Sequence, residues 1–245
     1  MSTFTKYYEQ NHHENPYKME SVKDSSRVKF IEYYVKQAAK PGDRILDVGS
    51  GDGFLHRLMP QYAWTGLDVS SAMSGGLNTI VKHDIEQYPY PVEPGFDVVV
   101  CSETLEHIYD PLAVTKEIYR LLRPGGTYIV STPNFDFVDH YINNFREVHF
   151  ASNKPWTKEH IHWYTLESHV DLLSLAGFKD YEYMGADPHY GEFFKEARSV
   201  MLNWLMDQFP GTPQIEAQIR GDMILSNCFK KHLHTLILVT RKPDA

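Results

Sequence analysis

Residues 44–53, Arg-Ile-Leu-Asp-Val-Gly-Ser-Gly-Asp-Gly, limit what this chain can fold into more than any other stretch. Strand-compatible residues run into Asp47, and glycines then stand at alternate positions, Gly49, Gly51 and Gly53. Phe54, Leu55, Leu58 and Met59 follow at the spacing of one helix face. The pattern predicts a buried strand, a tight glycine turn and the start of a helix. Such a turn lets the backbone come close to a ligand lying across the strand ends.

The chain downstream repeats that logic. Trp64–Asp68 reads as a short second strand ending in an acid, and Asn78–Asp84 as a third, also ending in an acid. Phe96–Cys101 reads as a buried fourth strand with a helix, Asp110–Leu122, behind it. Arg123-Pro-Gly-Gly126 reads as a turn before a fifth strand, Gly126–Ser131. A helix over Thr165–Ala176 capped by Gly177, a sixth strand over Phe178–Met184 and a seventh over His234–Arg241 complete the core. Strands alternating with helices predict βαβ units on a mostly parallel sheet, with the ligand at the carboxyl ends of its strands. Asp47, Asp68, Asp84, Ser102 with Glu103, and Thr132 with Asn134 all fall at such ends.

Charge at those ends selects the ligand. A dinucleotide turn needs a glycine at the sixth position of G-x-G-x-x-G, where this chain has Phe54. A pyrophosphate would also meet Asp47, Asp52, Asp68 and Asp84, and be repelled. Those acids suit a ribose diol joined to positive centres, such as an adenosyl sulfonium with an amino-acid ammonium. Asp68 follows Gly49 by nineteen residues, near the offset of about 20 for a ribose-binding acid. These features disfavour a nicotinamide oxidoreductase.

The same stretches resemble the class I S-adenosylmethionine-dependent methyltransferases, in a small-molecule O-methyltransferase-like branch. Ile45–Gly53 resembles the first motif of that family, Gly66-Leu-Asp68 the acidic second strand end, and His83-Asp84-Ile85 the adenine-edge motif. Phe96–His107 and Leu122–Gly126 resemble its fourth and fifth motifs. The resemblance implies a seven-stranded Rossmann-like sheet, helices on both faces, the last strand antiparallel, and S-adenosyl-L-methionine as cofactor. It implies that Asp47 and the glycines Gly49, Gly51 and Gly53 face the methionine part, that Asp68 binds the ribose hydroxyls, and that Asp84 with Ile85 lies at the adenine. Ser50, Val69 and Ser102 are further expected cofactor-binding residues.

The sulfonium is already activated, so such an enzyme mainly positions its acceptor and removes a proton. His107 is the expected general base, with Glu103 and His162 beside it. A second, less favoured reading takes Glu103, Glu106 and His107 as ligands of a divalent metal, with His160 or His162 added. That Glu-x-x-Glu-His pattern resembles metal-dependent quinone-biosynthesis and small-RNA O-methyltransferases. A third reading is a catalytically silent cofactor-binding subunit.

Around this core, residues 1–40 are expected to form a cap over cofactor and acceptor, with Tyr7, Tyr8 and Tyr17 in a leader and a helix over Ser21–Lys40. The core spans 41–184 and 234–245 of one domain. The insert at 185–233 carries a helical apolar stripe from Phe193 to Leu205, read as an acceptor lid or a homodimer contact. Residues 135–164 read as a loop region rich in histidine and aromatics, from His140 and His149 to Trp163, and His160–Thr165 within and beyond it resembles the segment that lines the acceptor side in the family. A net charge of −8 disfavours nucleic acid and favours a small-molecule acceptor. Two cysteines, no apolar run of membrane-spanning length and no signal core predict a soluble cytoplasmic chain.

Overall fold

The computed structural model describes residues 25–69, 79–135, 160–188, 192–210 and 233–244. Seven strands form one sheet: β1 (Arg44–Val48), β2 (Ala63–Asp68), β3 (Ile80–Lys82), β4 (Phe96–Ser102), β5 (Leu122–Pro133), β6 (Tyr181–Pro188) and β7 (Leu233–Arg241). Their order is β3-β2-β1-β4-β5-β7-β6. The β1–β5 ladders are parallel, and β7 runs antiparallel to both neighbours. The helices are α1 (Ser26–Ala38), α2 (Phe54–Leu58), α3 (Pro111–Leu121), α4 (Leu166–Ala176) and α5 (Glu192–Gln208).

Side chains alternate across the sheet and fill two cores, as expected of strands buried on both faces. Leu46, Val48, Val99, Cys101, Tyr128 and Val130 join Val114, Ile118 and Leu121 of α3 and Leu172 and Leu173 of α4. Ile45, Val98, Val100 and Ile129 join Phe30, Ile31, Tyr34 and Val35 of α1. Capping sets the helix limits. The side chains of Ser25, Asp110 and Thr165 accept from the first turns of α1, α3 and α4, and Gly177 closes α4 in the left-handed region.

Three boundaries differ from expectation. The third strand shrinks to Ile80–Lys82. The predicted Arg123–Gly126 turn lies inside β5, where the pairing with β4 shifts register between Phe96 and Val98. A Cβ at Gly126 would stand 2.9 Å from the Arg123 carbonyl, so the irregularity needs glycine there. Phe178 does not open β6. Its N–H donates to the Leu173 carbonyl as part of the α4 cap, and its ring stacks on Tyr128, so the strand starts at Tyr181. The tyrosine leader, the link at 70–78, His140, His149, Trp156 and the side chains of Phe193 and Phe194 lie outside the described residues or side chains.

Candidate active site

The glycine turn is shaped by its neighbours in β2 and β4. Gly49, Gly51 and Gly53 take φ values of 75°, 51° and 68°, a region that disfavours side chains. A Cβ on Gly49 would stand 2.4 Å from Thr104 Oγ1, whereas one on Gly51 would meet nothing within 4 Å. The close approach at Gly49 is therefore to protein, and the open side of the turn lies at Gly51.

The amides of this turn are already committed. Gly49 and Ser50 both donate to the Leu67 carbonyl of β2, Gly53 donates to the Ser50 carbonyl, and Gly51 donates to Asp68 Oδ2 at 2.9 Å. A phosphate cradle needs such N–H groups pointing at its ligand. Here they tie β1 to β2 and aim a carboxylate across the turn, an arrangement that fits an adenosyl sulfonium better than a pyrophosphate. Asp52 is ion-paired with Arg57 at 2.6 Å, so its charge is partly offset. Asp47 is buried, with Oδ2 3.0 Å from His56 Nε2.

Val69 and Asp84 are half-buried. Asp84 accepts from the Glu86 N–H, and the Ile85 carbonyl accepts from the Tyr90 hydroxyl, which anchors the loop after β3. Tyr109 N–H donates to Glu86 and joins this loop to the one following β4.

The β4 end holds the densest chemistry. Glu103 has a φ of 50°, a strained value for a side-chain-bearing residue. It is held by Arg27 of α1 at 2.9 Å and by the Ser131 hydroxyl, which also meets the Ser102 hydroxyl. A 3-10 turn, Leu105–His107, follows. Glu106 within it is almost fully buried, and its Oε2 has no hydrogen-bond partner among the described residues. Burial first, and the Glu103 charge second, push its carboxyl well above the ordinary range.

Residues 160–164 close over this turn. The N–H groups of Ile161 and His162 donate to the Glu106 carbonyl, and the Tyr164 hydroxyl donates to the Leu105 carbonyl. The His107 and His160 rings meet edge-on at 4.8 Å. Glu106, His107 and His160 each offer one ligand atom, all within 4.8 Å of one another. Of the less favoured metal-ligand set, Glu106 and His107 stand in this cluster, while Glu103 is engaged by Arg27 and Ser131. His162 lies beside the group through its backbone. His160 takes the place in the cluster.

Residues 17–183 match the model of a methyltransferase-domain family. The chain belongs to the class I S-adenosylmethionine-dependent methyltransferases. A ubiquinone biosynthesis O-methyltransferase of Xanthomonas campestris pv. campestris is 36% identical over 119 residues, covering 42% of this chain and 48% of that one. The chain thus spans about half the length of the curated relatives it matches. A phosphoethanolamine N-methyltransferase 2 of Haemonchus contortus superposes with a TM-score of 0.65 at 17% identity, covering 100% of this chain and 61% of that one. A SAM-dependent methyltransferase of Archaeoglobus fulgidus gives 0.60 at 19%, covering 89% and 94%. At these identities the structural likeness is one of fold. No helix among the described residues is long and apolar enough to cross a membrane.

Arg27, His56, Thr104 and Ser131 support the site through contacts that the motifs do not mark. Only His56 carries a signal, as an imidazole between the apolar Leu55 and Met59 on a short helix.

Proposed function

We propose that this methyltransferase alkylates an oxygen of a small polar acceptor. The observation that carries the reading is the convergence of the His107 and His160 imidazoles beside the buried Glu106 at the end of β4. The similarity to ubiquinone biosynthesis O-methyltransferases supports oxygen as the target, and the acidic chain supports a metabolite over nucleic acid. S-adenosylmethionine supplies an activated methyl group when bound. The protein's own part is to align the acceptor and accept its proton.

In this reading Asp68 binds the ribose hydroxyls, with Val69 beside it. Asp84 and Ile85 lie at the adenine edge. Asp47, Gly49, Ser50, Gly51, Gly53 and Ser102 line the methionine end. His107, whose side chain is 17% accessible, accepts the acceptor's proton, with Glu106 3.7 Å from its Nε2. Glu103, clamped by Arg27, shapes the loop that presents His107, and His162 lies on the acceptor side.

A panel of small hydroxylated acceptors, with S-adenosylhomocysteine formation as readout, tests this. His107→Ala should lower turnover by about 10²–10⁴-fold at unchanged S-adenosylhomocysteine affinity. Full retained turnover would remove His107 from the mechanism.

One observation favours a second reading, in which the same cluster holds a divalent metal. Glu106 buries an unpartnered carboxylate oxygen beside two imidazoles, a donor set suited to Mn²⁺ or Zn²⁺. Glu106, His107 and His160 would be the ligands, and a bound cation would polarise the acceptor hydroxyl. Activity lost in chelator, restored by added metal and not restored in Glu106→Gln would establish this reading; unchanged activity in chelator would refute it.

A further inference from the structure

His56 is fully buried in the middle of α2, the helix that follows the glycine turn. Neither the turn nor the helix calls for an imidazole there, and a buried polar ring is costly unless it is bonded. Its ring stacks flat on Trp64, with centroids 4.7 Å apart and planes at 12°. That stack leaves Nε2 at 3.0 Å from Asp47 Oδ2. Nδ1 has no hydrogen-bond partner among the described residues.

The proton assignment follows from the pairing. A neutral imidazole carries one N–H, and a carboxylate only accepts. A proton on Nδ1 would leave two lone pairs facing each other at 3.0 Å and a buried donor with no acceptor. The proton therefore sits on Nε2 and is donated to Asp47. Trp64 fixes the ring plane, and its own Nε1 is anchored to the Met59 carbonyl at 2.8 Å. The chain Met59–Trp64–His56–Asp47 thus holds the Oδ2 atom of a buried carboxylate at the end of β1.

We infer that His56 is a positioning residue for the amino-acid end of the cofactor. It never touches the ligand. It holds the Asp47 carboxylate in the one orientation that meets the ligand's ammonium group. This rests on the proposal that Asp47 lies at the methionine end, and the test separates the two.

Two ligands distinguish positioning from general support of the fold. S-adenosylhomocysteine carries the amino-acid tail, and 5′-methylthioadenosine keeps the adenosyl thioether without it. In equilibrium binding to the full chain, His56→Phe retains a ring to stack on Trp64 but has no donor. It should weaken S-adenosylhomocysteine about tenfold and leave 5′-methylthioadenosine unchanged. His56→Gln, whose amide N–H can replace Nε2–H, should recover most of the loss. His56→Met carries the same expectation as the phenylalanine variant should that one fail to fold. Asp47→Asn should also lose affinity for S-adenosylhomocysteine alone. Equal losses for both ligands in His56→Phe, no loss for either, or no recovery in His56→Gln would overturn the inference. If Asp47→Asn keeps the wild-type preference for the tailed ligand, the placement of Asp47 falls, and the role of His56 with it.

Discussion

Asp68 carries two duties, since it accepts the Gly51 N–H and stands at the end of β2 where the ribose is proposed to bind. Removing its carboxylate in Asp68→Ala should cost about 1–3 kcal/mol of S-adenosylhomocysteine affinity, measured by calorimetry. Unchanged affinity would refute the ribose assignment. His169 behaves differently. It is fully buried with Nδ1 3.3 Å from the Thr132 hydroxyl, and burial pushes its pKa down from 6.5 to about 3. The native state keeps this ring neutral while the unfolded chain protonates it. Its contribution is therefore intact above about pH 6.5 and is lost as pH falls toward 3. His169→Asn cannot take up that proton, so denaturant melts should show a shallower loss of stability over this window than in the wild type. Steeper or equal loss would contradict the assignment. The acids at the strand ends were legible because charge and spacing act locally in sequence. The Arg27–Glu103 pair was not, because nothing in a helical arginine announces a partner 76 positions away.

Among the elements, the glycine turn shows how a motif and its supports divide the work. Gly49→Ala would place a side chain at a φ of 75° and a Cβ 2.4 Å from Thr104 Oγ1. The left-handed backbone alone costs about 1–2 kcal/mol, or roughly 2–8 °C in Tm for a domain of this size. Adding Thr104→Ala removes the two nearest atoms, so the double variant should recover the steric part of the loss and keep the backbone part. A double variant no more stable than Gly49→Ala would show that Thr104 does not press on the turn. The turn and the helices read clearly from sequence, because glycine spacing and capping residues are local signals. The start of β6 did not, since Phe178 has strand-like neighbours and only the Tyr128 and Tyr119 rings beneath it decide that it belongs to the α4 cap. The β5 irregularity was hidden for a related reason: a Pro-Gly-Gly run reads as a turn unless the pairing with Phe96 is known.

Across the whole molecule, the sheet gathers the ends of β1, β2, β4 and β5 along one edge, and the cofactor and acceptor chemistry is proposed to lie there. The insert between β6 and β7 is a separate matter. Its helix α5 exposes Val200, Trp204 and Met206 while burying Leu205. Pro188 and Leu233 are direct partners in the β6–β7 ladder, so removing 190–218 still leaves enough chain to connect the two strands. The proposed role as acceptor lid or homodimer contact predicts that this deletion changes acceptor KM or oligomeric state while S-adenosylhomocysteine affinity stays the same. A chain unaltered in both refutes it. Strand order also bears on biosynthesis. Because β7 lies between β5 and β6 yet is made last, β6 leaves the ribosome with no neighbour to pair with, and β5 waits with one edge bare. Residues 189–232 must be translated before either edge is covered. During that interval both strands offer unpaired backbone, an edge on which other chains could pair.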